Sequence, residues 1–184
     1  YTNQWDQTGD DDERGYDNGD WFGISVATSY DGYIIACGGG GRNSAAGYVQ
    51  VFEKIDRNDD DGTPWNNLGS DLVGAAAGDT FGDSMSISSD GTRLAVGASR
   101  ASSQRGRVYI YDYIAGSWSE AANPLGTNVN DWFGKSVSLS SSGARLAVGA
   151  PGNDGTYWEM TGTQAGYVRV FENQLGTWTQ IGAD

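Results

Sequence analysis

FGISVATSYDGYIIACGG (residues 22–39), FGDSMSISSDGTRLAVGA (81–98) and FGKSVSLSSSGARLAVGA (133–150) are one sentence written three times. The copies align without a gap at offsets of 59 (81 minus 22) and 52 (133 minus 81), and each is preceded by an Asp and one further residue: Asp20, Asp79 and Asp131. A period in this range means a solenoid, a propeller or an array, in which no unit can bury its apolar face without a neighbour.

Behind each Phe-Gly, small and apolar residues alternate, as in Ser84-Met85-Ser86-Ile87-Ser88 and Ser136-Val137-Ser138-Leu139-Ser140. Period two predicts a strand. Asp31-Gly32, Asp90-Gly91 and Ser142-Gly143 then stand where a tight hairpin needs positive φ, so the next strands, 34–38, 94–98 and 146–150, return antiparallel. These are almost wholly apolar or small, as expected where both faces are covered. A third strand opens each time on glycine (47–52, 106–111 and 166–171), and a Trp-led fourth follows at 65–69 and 178–182, with Trp118 opening a longer version that ends at 125–126. Four antiparallel strands per unit make the blade of a β-propeller. The expected fold is all-β, with blades at 20–69, 79–126 and 131–182, and residues 1–9, whose Trp5-Asp6-Gln7-Thr8-Gly9 fits the fourth-strand pattern, as the outer strand of a preceding blade. A spare outer strand implies a larger ring, closed by further blades of a parent chain or by other copies of this one.

The recurring D-x-F-G-x-S, R-L-A-V-G-A and G-x-V-x-V-F phrases resemble the FG-GAP repeats of the integrin α-subunit type of propeller, in the shorter variety of microbial and algal proteins. The resemblance covers almost the whole chain. It implies a β-propeller, usually of about seven blades in that family, and a secreted, extracellular or cell-surface protein with a binding or adhesive role. Integrin-type repeats often carry a D-x-D-x-D-G calcium loop between the first two strands. Here that place holds Tyr30-Asp31-Gly32, Ser89-Asp90-Gly91 and Ser141-Ser142-Gly143.

Composition narrows the partners. In 184 residues, 11 Lys and Arg face 24 Asp and Glu, a formal net charge of -13 that would repel nucleic acid and anionic membrane surfaces. No stretch approaches the apolar length of a membrane span, so membrane insertion is not expected. The chain opens without Met and without a charged-then-apolar leader, and is expected to be a processed product or a piece of a longer polypeptide. Its one cysteine, Cys37, aligns with Val96 and Val148 and reads as a buried small hydrophobe. Histidine is absent, and with it the usual general base and metal ligand.

Three sets of residues are candidates for function. Asp20, Asp79 and Asp131, with Phe22, Phe81 and Phe133, belong to every unit; a short carboxylate beside a turn accepts backbone N–H bonds, the structural reading, while a ring of such carboxylates around a central channel is the functional one. Two acidic runs interrupt the repeat, and Asp10, Asp12, Asp56, Asn58 and Asp60 are the candidate calcium ligands, oxygen donors at alternate positions. The run 56–62 is out of register with the EF-hand loop, and a solvated loop is the competing reading. The loops between second and third strands carry Arg42, Arg100 and Arg105, and Tyr157, Trp158 and Glu159 in the longest, and share one rim with the connections from fourth to first strands. These six are the candidate ligand-binding residues.

The sequence contains no nucleophile elbow, phosphate loop or zinc spacing. It therefore reads as a non-enzymatic binding or structural module that presents propeller-face loops to a protein. A glycan-binding propeller, assisted by calcium, is the alternative, and a carboxylate-dependent glycoside hydrolase or lyase the more distant one.

Overall fold

The structure is a computed structural model and describes residues 15, 16, 18–55, 64–152 and 166–182. The strand expected at 1–9, the candidate calcium ligands Asp10, Asp12, Asp56, Asn58 and Asp60, and the loop residues Tyr157, Trp158 and Glu159 lie outside the described residues, as does the Arg42 side chain.

Alternation in the repeated sentence produces three hairpins in one register. They are β1 (Phe22–Thr28) with β2 (Ile34–Gly39), β6 (Phe81–Ile87) with β7 (Arg93–Ala98), and β10 (Ser136–Leu139) with β11 (Arg145–Ala150). Val26 faces Cys37, Met85 faces Val96 and Val137 faces Val148. The third strands β3 (Tyr48–Glu53), β8 (Arg107–Ile114) and β12 (Tyr167–Gln174) pair with these. Outermost lie β4 (Asn66–Asn67) with β5 (Leu72–Val73), β9 (Ser117–Ala122) and β13 (Thr177–Ile181). Each unit is thus an antiparallel sheet with its strands in sequence order, and the innermost strands β1, β6 and β10 lie side by side.

Two features depart from the expected strands. The fourth strand of the first unit is broken at residues 68–71, so β4 and β5 both pair with β3. In the later units β8 and β12 run three residues beyond 111 and 171, because Ala115-Gly116 and Leu175-Gly176, all at positive φ, fold straight back into β9 and β13. Such paired left-handed residues match the strand twist.

The inner hairpin turns are closed by side chains. Ser88 Oγ donates to Asp90 Oδ1 at 2.6 Å, the Thr92 amide to the same oxygen at 3.1 Å, and the Arg93 amide to Ser88 Oγ at 2.9 Å. Ser29 and Asp31 repeat this, whereas the third turn uses Ser140 and Ser142. The bond from Ser88, opposed by burial and assisted by the weaker bonds from Thr92, holds the Asp90 carboxyl below its ordinary 3.8. A depressed folded-state pKa stabilises above the unfolded value and is lost as pH falls through the folded one. Asp90→Ser, which copies the third turn, is therefore expected to melt below the parent chain at neutral pH and to close that gap as pH falls from about 5 through the lowered folded-state pKa. Thermal melts across that range check it; a gap independent of pH would mean the charge is idle.

The core lies between units and not within them. Ala36, Val49, Val51 and Leu72 of the first sheet enclose Phe81, Met85, Leu94 and Val96 of the second. Ala95, Val108 and Ile110 of the second likewise meet Phe133, Leu146, Val148 and Phe171 across the next junction. Polar bonds cross both junctions at equivalent places. Ser25 Oγ donates to the Gly82 carbonyl at 2.6 Å and Ser84 Oγ to the Gly134 carbonyl at 2.7 Å. The Phe81 amide donates to Ala46 O and the Phe133 amide to Arg105 O, at 2.9 and 3.1 Å. Gly82 and Gly134 turn their carbonyls toward the preceding unit at a φ of +88° that favours glycine. The donor Ser and acceptor Gly of the repeated phrase are therefore two halves of one junction.

Candidate binding site

The rim site rests on three buried carboxylates, Asp20, Asp79 and Asp131. Asp20 Oδ2 accepts from the Tyr16 amide at 2.8 Å and the Tyr48 hydroxyl at 3.2 Å, Asp79 Oδ2 from the Ala76 amide at 3.1 Å, and Asp131 Oδ2 from the Asn128 amide at 2.7 Å and the Tyr167 hydroxyl at 2.9 Å. Burial, and then the bond to Asp131, push the Tyr167 phenol above its ordinary value. The Asp backbone carbonyls hold the loops between second and third strands, accepting from the amides of Gly41, Arg100 and Gly152. Each Asp thus fastens the connection that enters its unit to the loop beside it. The bonded Oδ2 atoms face their own turns and, for Asp20 and Asp131, a third-strand tyrosine, as the structural reading expects, while Asp131 Oδ1 is buried without a hydrogen-bond partner among the described residues.

On this frame, the loop of the second unit meets the connection entering the third. Ser99, Arg100 and Gln104 from the loop, with Trp132 and Lys135 from the connection, line a pocket of about 210 Å³. The loop curls left-handed, with positive φ at Ser102, Ser103 and Gln104. This brings Gln104 to the connection, where its carbonyl accepts from the Trp132 amide at 3.1 Å and its Oε1 from the Trp132 indole N–H at 3.0 Å. Lys135 Nζ and Ser99 Oγ both donate to Asp83 Oδ2, at 2.7 and 2.9 Å. The lysine charge is thereby matched, while the exposed Arg100 guanidinium donates no hydrogen bond to, and forms no ion pair with, any described residue. A cationic fork beside an indole is left open in a strongly acidic chain.

Arg100, expected as a ligand-binding residue, lies in this pocket. Arg105, expected beside it, is committed elsewhere: its Nε and Nη2 donate to the Thr127 carbonyl at 3.1 and 2.7 Å and pin the following connection. Trp132, Gln104 and Lys135 were not singled out by sequence. The residue between Asp and Phe in the repeated phrase is Trp21, Thr80 and Trp132 in turn, and its variability was the available signal. Among the described residues, no three or more His, Cys, Asp or Glu gather as a metal site, and no helix is long and apolar enough to cross a membrane.

No family model and no curated protein matches the chain. Among solved structures, it is similar to the crystal structure of Saccharomyces cerevisiae Sqt1, a propeller, at 16% identity and a TM-score of 0.54. The alignment covers 90% of this chain and 36% of that one, so this chain corresponds to little more than a third of that structure. The likeness concerns the fold: an all-β, propeller-like array of four-stranded sheets.

Proposed function

We propose that the chain is a non-enzymatic propeller module that binds proteins through its rim, with the pocket of Arg100, Gln104 and Trp132 anchoring a carboxylate of the partner. The open Arg100 guanidinium carries this reading. Its planar fork matches a carboxylate in bidentate geometry, and the indole offers an apolar wall. At about 210 Å³ the cavity falls below the volumes typical of small-molecule sites and fits one side chain or a chain terminus. A location outside the cell or on its surface, with a role in adhesion, is supported by the FG-GAP resemblance of the repeated phrases. The glycan reading leaned on Tyr157 and Trp158, which lie outside the described residues.

An acetylated and amidated peptide with a single Glu, titrated against its Gln counterpart, tests the pocket. The Trp132 indole resonance is expected to shift with the first peptide only. Arg100→Ala should weaken binding about 10- to 100-fold, as expected for the loss of a charged hydrogen bond of ~1.5–3 kcal/mol, and Arg100→Lys should restore part of it. Equal responses to the two peptides would refute the anchor.

A further inference from the structure

The junction used twice inside the chain leaves matching halves at its two ends. Valines at one position of the third strand record this: Val49 and Val108 are 0% exposed under the following unit, whereas Val168 is 65% exposed. A Cβ on Gly38 or Gly97 would run into the carbonyl of Gly82 or Gly134 in the next unit, while one on Gly149 would meet only its own Ser136. Ser136, the counterpart of the bonded Ser25 and Ser84, is exposed, and its hydroxyl has no partner among the described residues. Ser136, Gly149, Ala150, Gly166 and Val168 line an open groove of about 410 Å³ on this edge.

The opposite edge shows the complementary gaps. Positions Gly82 and Gly134 press on the preceding unit, but a Cβ on Gly23 would meet nothing within 4 Å. Val26 is 68% exposed where its counterpart Met85 is buried at 9%. Tyr30 donates its amide to Ser89 O and Ser89 its amide to Ser141 O, which leaves the Ser141 amide and the Tyr30 carbonyl, among the described residues, as the unused ends of one relay. Both edges are interfaces of known geometry, each lacking the other.

We infer that the open edge of the third unit docks the first unit of a second copy of this chain, head to tail. Ser136 Oγ then donates to Gly23 O of the second copy, the Ser141 amide donates to its Tyr30 carbonyl, and Val168 and Val26 are covered as their counterparts are. Two copies joined at both ends make a closed ring of six units, within the usual range of propellers. Heterologous contacts close into rings when their rotation permits. This inference is independent of the rim pocket.

Sedimentation of the chain at ~100 µM is expected to give a species of twice its 19.5 kDa, six units being within the usual range for propellers. Val168→Glu and Val26→Lys change side chains that are exposed in the single chain, so near-UV circular dichroism should be unchanged while each variant sediments as a monomer. Mixing the two should restore a 1:1 complex, because each supplies the intact half that the other lacks. A monomeric parent chain would overturn the inference and leave the edge to a further repeat. So would a Val26→Lys variant that still dimerises, since that marks a symmetric contact through the other edge.

Discussion

Gly97→Ala is expected to lower stability by roughly 3 kcal/mol, combining ~1–3 kcal/mol of overpacking with ~1 kcal/mol for a lost hydrogen bond. Gly97 sits in β7 where its Cβ would collide with the Gly134 carbonyl of the third unit and with Ser84 Oγ, the very pair that bonds at 2.7 Å. The obstacle is backbone, which cannot rotate aside. Gly149→Ala provides the internal comparison: in the single chain its Cβ meets only the Ser136 side chain and backbone of its own hairpin, and Ser136 can change rotamer. Its cost should stay below about 1 kcal/mol, near that of an ordinary surface change. Urea midpoints at unchanged slope provide the measurement. At a concentration low enough to keep the chain a single copy, equal costs at the two positions would mean that these glycines serve the strand and not the junction.

Phe133→Ala should cost still more, about 3–5 kcal/mol, the range for a fully buried phenylalanine. Its ring is 0% exposed, packs edge-on to Phe171 with centroids 6.1 Å apart, and shares a cluster with Val108 and Ile110 of the second unit. Removing it empties both the third sheet and the junction before it. Since a repeat array is held by nearest-neighbour terms, the damage should be local: amide exchange in β10–β13 should rise well before that in β1–β3. Phe22→Ala should cost less than half as much, because Phe22 is only half-buried and stacks chiefly on Tyr48 of its own sheet, with centroids at 6.0 Å. Uniform loss of protection throughout the chain would contradict the nearest-neighbour picture.

Much of the architecture was legible. Period two, the Asp-Gly turns and the returning R-L-A-V-G-A strands are local features, each formed within about ten residues, so propensity and pattern suffice for them. The break in the first fourth strand at residues 68–71 was not legible, because β4 and β5 are defined by their partner β3 and not by a period of their own. Nor was the difference between Arg100 and Arg105: both stand in one polar loop, and only the folded connection brings the Thr127 carbonyl to one and leaves the other open. Trp132 was readable as the aromatic of a repeated phrase. Its place beside Gln104, on a loop 28 residues earlier, was not.

The sequence by itself determined that this protein is a row of like sheets, because copying a sentence copies every short-range interaction in it. It also marked the residues that matter, Asp, Phe, Gly and Ser at fixed spacing. Only the tertiary structure decided what each one bonds to. Ser25 and Gly82 are 57 residues apart and Ser84 and Gly134 are 50, so their pairing depends on how one sheet lies on the next. Val49 and Val168 have the same side chain in the same register, and one is buried while the other is open, because burial belongs to the neighbour and not to the residue.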